Sequence, residues 1–358
     1  MRDRADLGLP TGEPSGLAGD AQRATAPGQT RSIGPIAVEG PEPLESEGSI
    51  RPYNGPELHE LEPYLNEALA EWAETAFTTA PLSCTHDQVD NSSCAWYHGA
   101  WPALRALDVV SSPAWHHEFY SSNLYRKMRV PATRRILISG TADFSILAFV
   151  LAAVKGLDPQ PEIHIIDLCP TPLEACLWYS LRTGGKIAVL QRSVLDLPEV
   201  LMEGPGKGSN EFFDLIVTDA LLTRFEFGDA KDIVTNWFRL LRPGGSVITT
   251  VRLHPRDVSD GSASDFTAKV AGLVQLRREP SKITNHDLVA AADVYARRIT
   301  SHNLGDVGDV SSLFIKVGFV LEHEDVAPVK GELTRTQYLR LVARKSLTAK
   351  VARSSSLI

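Results

Sequence analysis

Residues 134–156 read RRILISGTADFSILAFVLAAVKG, and their rhythm decides the fold. The run RRILISG is short, apolar and halted by Gly140, as a strand covered on both faces would be. DFSILAFVLAAVKG is too long for a strand and stops at Gly156, which predicts a helix. The same alternation then repeats. EIHIIDL (162–168) predicts a second strand that ends in an acid, and TPLEACLWYSLRTGG (171–185) a helix stopped by two glycines. KIAVLQR and FFDLIVTDA predict two more strands, DAKDIVTNWFRLLRPGG a helix, and SVITTVRL a fifth strand. Such alternation calls for a parallel sheet with helices on both faces. VGFVLEHEDVA and TRTQYLRLVARK, joined by a Gly-containing loop, predict a closing antiparallel pair. The expected class is therefore α/β: a doubly wound, mostly parallel seven-stranded sheet.

Two segments interrupt this pattern or precede it. Residues 263–278 place Phe266, Val270, Leu273 and Val274 on one helical face, and 285–301 do the same with Leu288, Ala292, Tyr295 and Ile299. A helical insertion at 262–302 is thus expected inside a sheet domain of 131–346. Upstream, 62–78 predict a helix with Leu61, Leu65, Trp72 and Ala76 on its apolar face and Pro63 in its first turn. Residues 95–110 and 113–128 predict further helices rich in rings and histidines. Together 53–130 form a predicted helical cap, with 347–358 as a C-terminal tail. Residues 1–52 contain no aromatic residue and are dense in Gly, Pro, Ser and Ala, a composition that predicts a disordered tail.

Composition narrows the function classes. The chain has 358 residues, 36 Lys+Arg against 44 Asp+Glu, and a formal charge of −8. An acidic chain without a basic stripe argues against nucleic acid or an anionic membrane as partner and favours a small-molecule substrate. No apolar run approaches membrane-spanning length, and the first residues carry no secretory pattern, so a cytoplasmic location is expected. Oligomeric state is not legible. Cys84, Cys94, Cys169 and Cys176 lack paired CxxC spacing, so no metal site is expected, and Cys94 and Cys169 read as buried or neutral thiols.

Ligands of an open α/β sheet bind at the carboxyl ends of its strands. The first strand ends in Gly140-Thr141-Ala142-Asp143, where glycine allows a tight turn and close approach. The second ends in Asp167-Leu168, and a carboxylate there accepts hydrogen bonds from ribose hydroxyls. The bland alternatives are a turn glycine and a helix N-terminal acid that helps Thr171 cap its helix. The third strand runs into Ser193-Val194-Leu195-Asp196, where an adenine would lie against Val194. The fourth ends in Thr218-Asp219-Ala220, with Asp219 facing cofactor or substrate, or else solvent. His254, just past the fifth strand, is a candidate general base or a plain surface histidine. Tyr97, His98 and Tyr125 of the cap are candidate substrate contacts beneath a lid, since an aromatic face attracts a cation.

Five motifs occur in an order that resembles the class I (Rossmann-like) S-adenosylmethionine-dependent methyltransferases: ILISGTADF, IIDLCPTPLEAC, QRSVLDLP, FDLIVTDALL and LLRPGGSVITTVRL. The resemblance covers roughly 134–345. It implies S-adenosyl-L-methionine as cofactor and methyl transfer to an O, N or C nucleophile. The first motif departs from the family: Ile138 stands where the family has an acid, Ala142 replaces its second glycine and Phe144 its third. Phe144 is expected to narrow the space beside the methionine part of the cofactor. In the third motif, Ser193 stands where the family often has Asp, leaving the adenine contact to Asp196 or the backbone. Three alternatives remain open: attack at another sulfonium carbon (aminocarboxypropyl transfer or cyclisation), a non-catalytic nucleoside-binding module, and a nicotinamide-dependent oxidoreductase. The last would want Gly-x-Gly-x-x-Gly, of which only one glycine is present.

Overall fold

The computed structural model describes residues 61–84, 93–130, 133–197, 212–253, 263–276, 281–328 and 337–347. Its centre is a seven-stranded sheet in the order β3-β2-β1-β4-β5-β7-β6. The strands are β1 (Arg135–Ser139), β2 (Glu162–Asp167), β3 (Ile187–Gln191), β4 (Phe213–Val217), β5 (Leu241–Leu253), β6 (Phe319–Pro328) and β7 (Gln337–Lys345). The first five are parallel, and β7 runs antiparallel to both β5 and β6. This is the arrangement that the resemblance to class I methyltransferases implies. β1 pairs with β2 on one side and β4 on the other, so successive crossovers leave it in opposite directions. The crevice at its carboxyl end is the topological switch point.

The helices are α1 (Leu61–Ser83), α2 (Ala95–His98), α3 (Trp101–Ala106), α4 (His117–Met128), α5 (Ser145–Val154), α6 (Pro170–Thr183), α7 (Phe227–Leu240), α8 (Ala263–Val274), α9 (Asn285–Arg298) and α10 (Val307–Val317). On one sheet face α1, α4, α5 and α6 share a core with Ile136, Ile138 and Ile163. On the other, α7 and α10 pack on Leu137, Ile216 and Val247. Each fully buried Leu, Ile or Phe side chain in these layers stabilises the fold by ~1.5–3 kcal/mol relative to exposure. The apolar face expected of α1 is real: Leu61, Leu65, Trp72 and Ala76 are all buried.

Four details differ from the sequence expectation. The helix expected at 95–110 is two short helices, because the chain turns at Gly99-Ala100 before Pro102 opens α3. Pro113–His116 forms a 3₁₀ turn ahead of α4. The RPGG segment belongs to β5, whose ladder shifts register opposite Phe213 and Leu215 and whose Gly244 takes φ +83°. Helix α10 is the fourth difference: Asp306 and Asp309 form a reciprocal capping box at its start, and Gly318 closes it at φ +114°.

A third core covers the strand ends. Trp101, Ala103 and Leu104 of α3 pack with Val270 and Val274 of α8 and with Leu288, Ala292 and Tyr295 of α9. Ala142, from the loop after β1, packs against the same cluster.

Candidate active site

Gly140 opens the site. Its φ of +71° lies in the left-handed region, and a Cβ there would meet Leu221 Cδ1 at 2.6 Å. Only glycine satisfies both the turn and this close approach of the β4 loop. The Gly140 amide donates to the Ile166 carbonyl at 2.8 Å, tying the end of β1 to that of β2. Beside it, Asp167 accepts from the Thr141 amide (Oδ2, 3.0 Å) and the Cys169 amide (Oδ1, 2.8 Å). Each carboxyl oxygen keeps acceptor capacity after one such bond. Burial pushes the Asp167 pKa up to about 6, against the opposing influence of His98 and the two amide donors.

Asp143 does something the sequence did not suggest. It is buried, and its oxygens accept from Trp101 Nε1 at 2.9 Å and the Ser145 amide at 2.6 Å. Arg105, also buried, stands 4.0 Å away. Asp143 therefore ties α3 to the β1–α5 turn. The expectation for Phe144 is overturned. Its ring is fully buried and stacks on Tyr179 of α6 at 4.6 Å and 10°. It is turned into the core because α5 and α6 provide aromatic partners there.

At the end of β4, the Tyr120 hydroxyl of α4 shares its single proton between the Thr218 carbonyl and Asp219 Oδ1, both at 2.8 Å. Thr250 of β5 donates to the same oxygen at 2.6 Å. Burial, with Asp219 adding to it, holds the Tyr120 hydroxyl well above its usual pKa, so it stays a donor. Ala220 adopts φ +48° and donates its amide to the Thr250 carbonyl and hydroxyl. A non-glycine residue in that region marks local strain at the switch point.

The β3 end is plainer. Ser193 Oγ accepts from the Leu195 amide at 3.2 Å, Val194 is buried, and Asp196 is exposed. Leu168 stands exposed beside Asp167.

The cap supplies the rings. Tyr97 stacks on Tyr295 of α9 at 5.9 Å and 20°, lies 5.1 Å from the Trp101 ring, and has the Arg224 guanidinium 5.3 Å above it. Burial pushes its hydroxyl above its usual pKa; Arg224 opposes this, while Asp143, Asp167 and Asp219 add to it. Tyr97 thus lies within electrostatic reach of the carboxyls at the ends of β1, β2 and β4. His98 turns away into a cluster with Cys84, 3.6 Å from Nδ1. Tyr125 is exposed on α4 and bonds Arg129, apart from these rings. His254 lies outside the described residues. Tyr120, Thr250 and His116 were missed by sequence reasoning. His116 is buried, its ring 5.0 Å from that of Tyr338, with neither nitrogen hydrogen-bonded among the described residues. Burial lowers its pKa, opposed by Asp219. Only the threonine-rich end of β5 offered a signal for any of the three.

No family profile and no curated protein matches the chain. Among solved structures it is similar to the N-methyltransferase NodS from Bradyrhizobium japonicum WM9 in complex with S-adenosyl-L-homocysteine (13% identity over 69% of this chain and 98% of that one, TM-score 0.38). It is also similar to the [4+2]-cyclase SpnF (9% identity, 82% and 97%, TM-score 0.42). A third is a protein described with the conversion of a disulfide bond into a thioacetal group during echinomycin biosynthesis (16% identity, 68% and 85%, TM-score 0.40). By its own strand order and closing antiparallel pair, the chain has the fold of the class I S-adenosylmethionine-dependent methyltransferases.

Proposed function

We propose that the protein is an S-adenosylmethionine-dependent methyltransferase acting on an O, N or C nucleophile of a small molecule. The observation that carries this reading is the arrangement at the switch point: Gly140, whose left-handed φ makes the tight turn out of β1, and Asp167, fixed by the Thr141 amide with acceptor capacity to spare. Asp167 would take the ribose hydroxyls, and Val194 would flank the adenine. Thr141 and Ala142, after the Gly140 turn, would face the methionine part with Ala220. S-adenosylmethionine supplies, when bound, a methyl group on a sulfonium that is already a good leaving group. The chain's own task is then orientation and exclusion of water. The α3–α8–α9 core, with Ala142 packed against it, shields this end of the sheet. Asp219, oriented by Tyr120 and Thr250, is suited to positioning the substrate nucleophile. Because Phe144 is turned into the core, nothing at that position favours attack at another sulfonium carbon.

Calorimetric titration tests the reading. The chain is expected to bind S-adenosylmethionine and S-adenosylhomocysteine, and Asp167→Ala to weaken both about 10–100-fold, as loss of hydrogen bonds to a charged acceptor implies. Absence of binding overturns the proposal. Mass spectrometry of turnover mixtures is expected to show S-adenosylhomocysteine; methylthioadenosine would instead point to transfer of another carbon. Binding without turnover of any candidate substrate points to a nucleoside-binding module.

A further inference from the structure

Three cysteines and one histidine, far apart in the sequence, meet at the junction of the cap and the sheet domain. Cys84 follows the last turn of α1, Cys94 and His98 flank α2, and Cys169 is the N-cap of α6. Their ligand atoms all lie within 4.8 Å of one another. Cys84 Sγ is 3.6 Å from His98 Nδ1, and Cys94 Sγ is 3.6 Å from Cys169 Sγ. None of the four cysteines is in a disulfide. A tetrahedral zinc ion with Zn–S of about 2.3 Å and Zn–N of about 2.0–2.1 Å spaces its ligands about 3.8 Å (S to S) and about 3.5 Å (S to N) apart. The Cys84–His98 and Cys94–Cys169 edges match that tetrahedron, and the other edges, all within 4.8 Å, close onto it with small side-chain shifts. They are too short for an iron–sulfur cluster, which puts several irons and sulfides between its thiolates.

We propose that Cys84, Cys94, His98 and Cys169 bind a single zinc ion. Four protein ligands complete the tetrahedron and leave no open position, so the ion is structural. Binding forms three Zn–S bonds and one Zn–N bond. The three thiol protons pass to solvent, and His98 coordinates as neutral imidazole through Nδ1. Thr171 supports the site, its Oγ1 standing 3.2 Å from Cys84 Sγ, where it donates to the thiolate. Cys176 is excluded: it is buried elsewhere, its Sγ directed at the Asp143 carbonyl.

The placement gives the ion its task. Three ligands come from the cap, and the fourth comes two residues after Asp167, whose Oδ1 accepts the Cys169 amide. The ion therefore clamps α1 and α2 to the β2–α6 loop. CxxC spacing could not show this site, because Cys169 joins it only through the fold.

The experiment is metal analysis of the full chain, purified without a histidine tag or chelator. One zinc per chain is expected, retained in Cys176→Ser and lost in Cys169→Ser and in Cys94→Ala. Cobalt replacement in the wild-type chain covers variants that fail to fold: intense visible bands of tetrahedral thiolate coordination are expected. Removing the metal with a strong chelator is expected to lower Tm by about 5–10 °C, as loss of a bound structural ion does. The proposal is overturned by substoichiometric metal after reconstitution with zinc, by iron in place of zinc, or by full zinc retention in folded Cys169→Ser. A Cys94–Cys169 disulfide found by alkylation and mass spectrometry also overturns it. None of these readouts depends on S-adenosylmethionine binding.

Discussion

Single residues at the switch point carry two constraints at once, and Gly140 is the clearest case. Its left-handed φ and its contact with Leu221 both forbid a side chain. Gly140→Ala is therefore expected to cost about 1–3 kcal/mol, through backbone strain and displacement of Leu221. Chemical denaturation checks this, and a loss below about 0.5 kcal/mol would mean that the β4 loop yields freely. The importance of Gly140 and Asp167 was legible because a strand end is marked by the residue that stops the apolar run. Asp143 was legible as a polar group at the ligand end of β1. That it faces Trp101 and Arg105 depends on a helix some forty residues upstream, which no local pattern records. Phe144 misled for the opposite reason: its motif position suggested the ligand side, and the aromatic partners on α6 drew the ring inward.

At the level of elements, α3 is anchored by that buried contact rather than by length. A six-residue helix has little stability of its own, so what holds it is tertiary. Asp143→Ala removes the acceptor of Trp101 Nε1 and the carboxyl beside the buried Arg105. It is expected to destabilise the fold by about 3 kcal/mol, the range seen when one partner of a buried ion pair is removed. Urea unfolding measures the loss. Arg105→Met in the same background is expected to recover part of it, and failure to do so would show that Arg105 is held by other groups. The strands and most helices were legible, since their periodicity is written within ten or fifteen residues. Helix α10 was overlooked although Val307, Val310, Leu313, Phe314 and Val317 keep helical spacing. The short VGDVSS opening, with its glycine and β-branched residues, disguised a helix whose start is set by side-chain caps.

Across the molecule, the buried His116 and the half-buried His164 link stability to pH. Burial lowers the pKa of His116, opposed by Asp219 and Asp325 and aided by Arg340. Burial likewise lowers that of His164, opposed by Glu162. The unfolded chain then binds more protons than the folded one below the ordinary histidine value of about 6.5. Their stabilising contribution is complete above that pH and is lost as pH falls towards the folded values. The contribution of His116 is isolated by the variant: His116→Gln is expected to lose less of its urea midpoint, or gain more, than the wild type between pH 7 and pH 5, with Asp167, whose pKa is raised, acting in the opposite sense in both chains. An unchanged slope in that variant would assign the acid sensitivity to other groups. The overall architecture was legible from strand–helix alternation. That α2–α3 and the 263–298 insertion share one core was not, because the rings of 96–101 and those of 266–295 recognise one another only in three dimensions.

That shared core also has a consequence in time. A ribosome delivers Trp96, Tyr97 and Trp101 long before Phe266 and Tyr295. At about 5–20 residues per second, the interval for nearly two hundred residues is on the order of ten to forty seconds. Through that interval the emerging chain presents a cluster of bare rings with no partner yet made. That core is thus completed only after the five parallel strands have been made, and before β6 and β7 close the sheet.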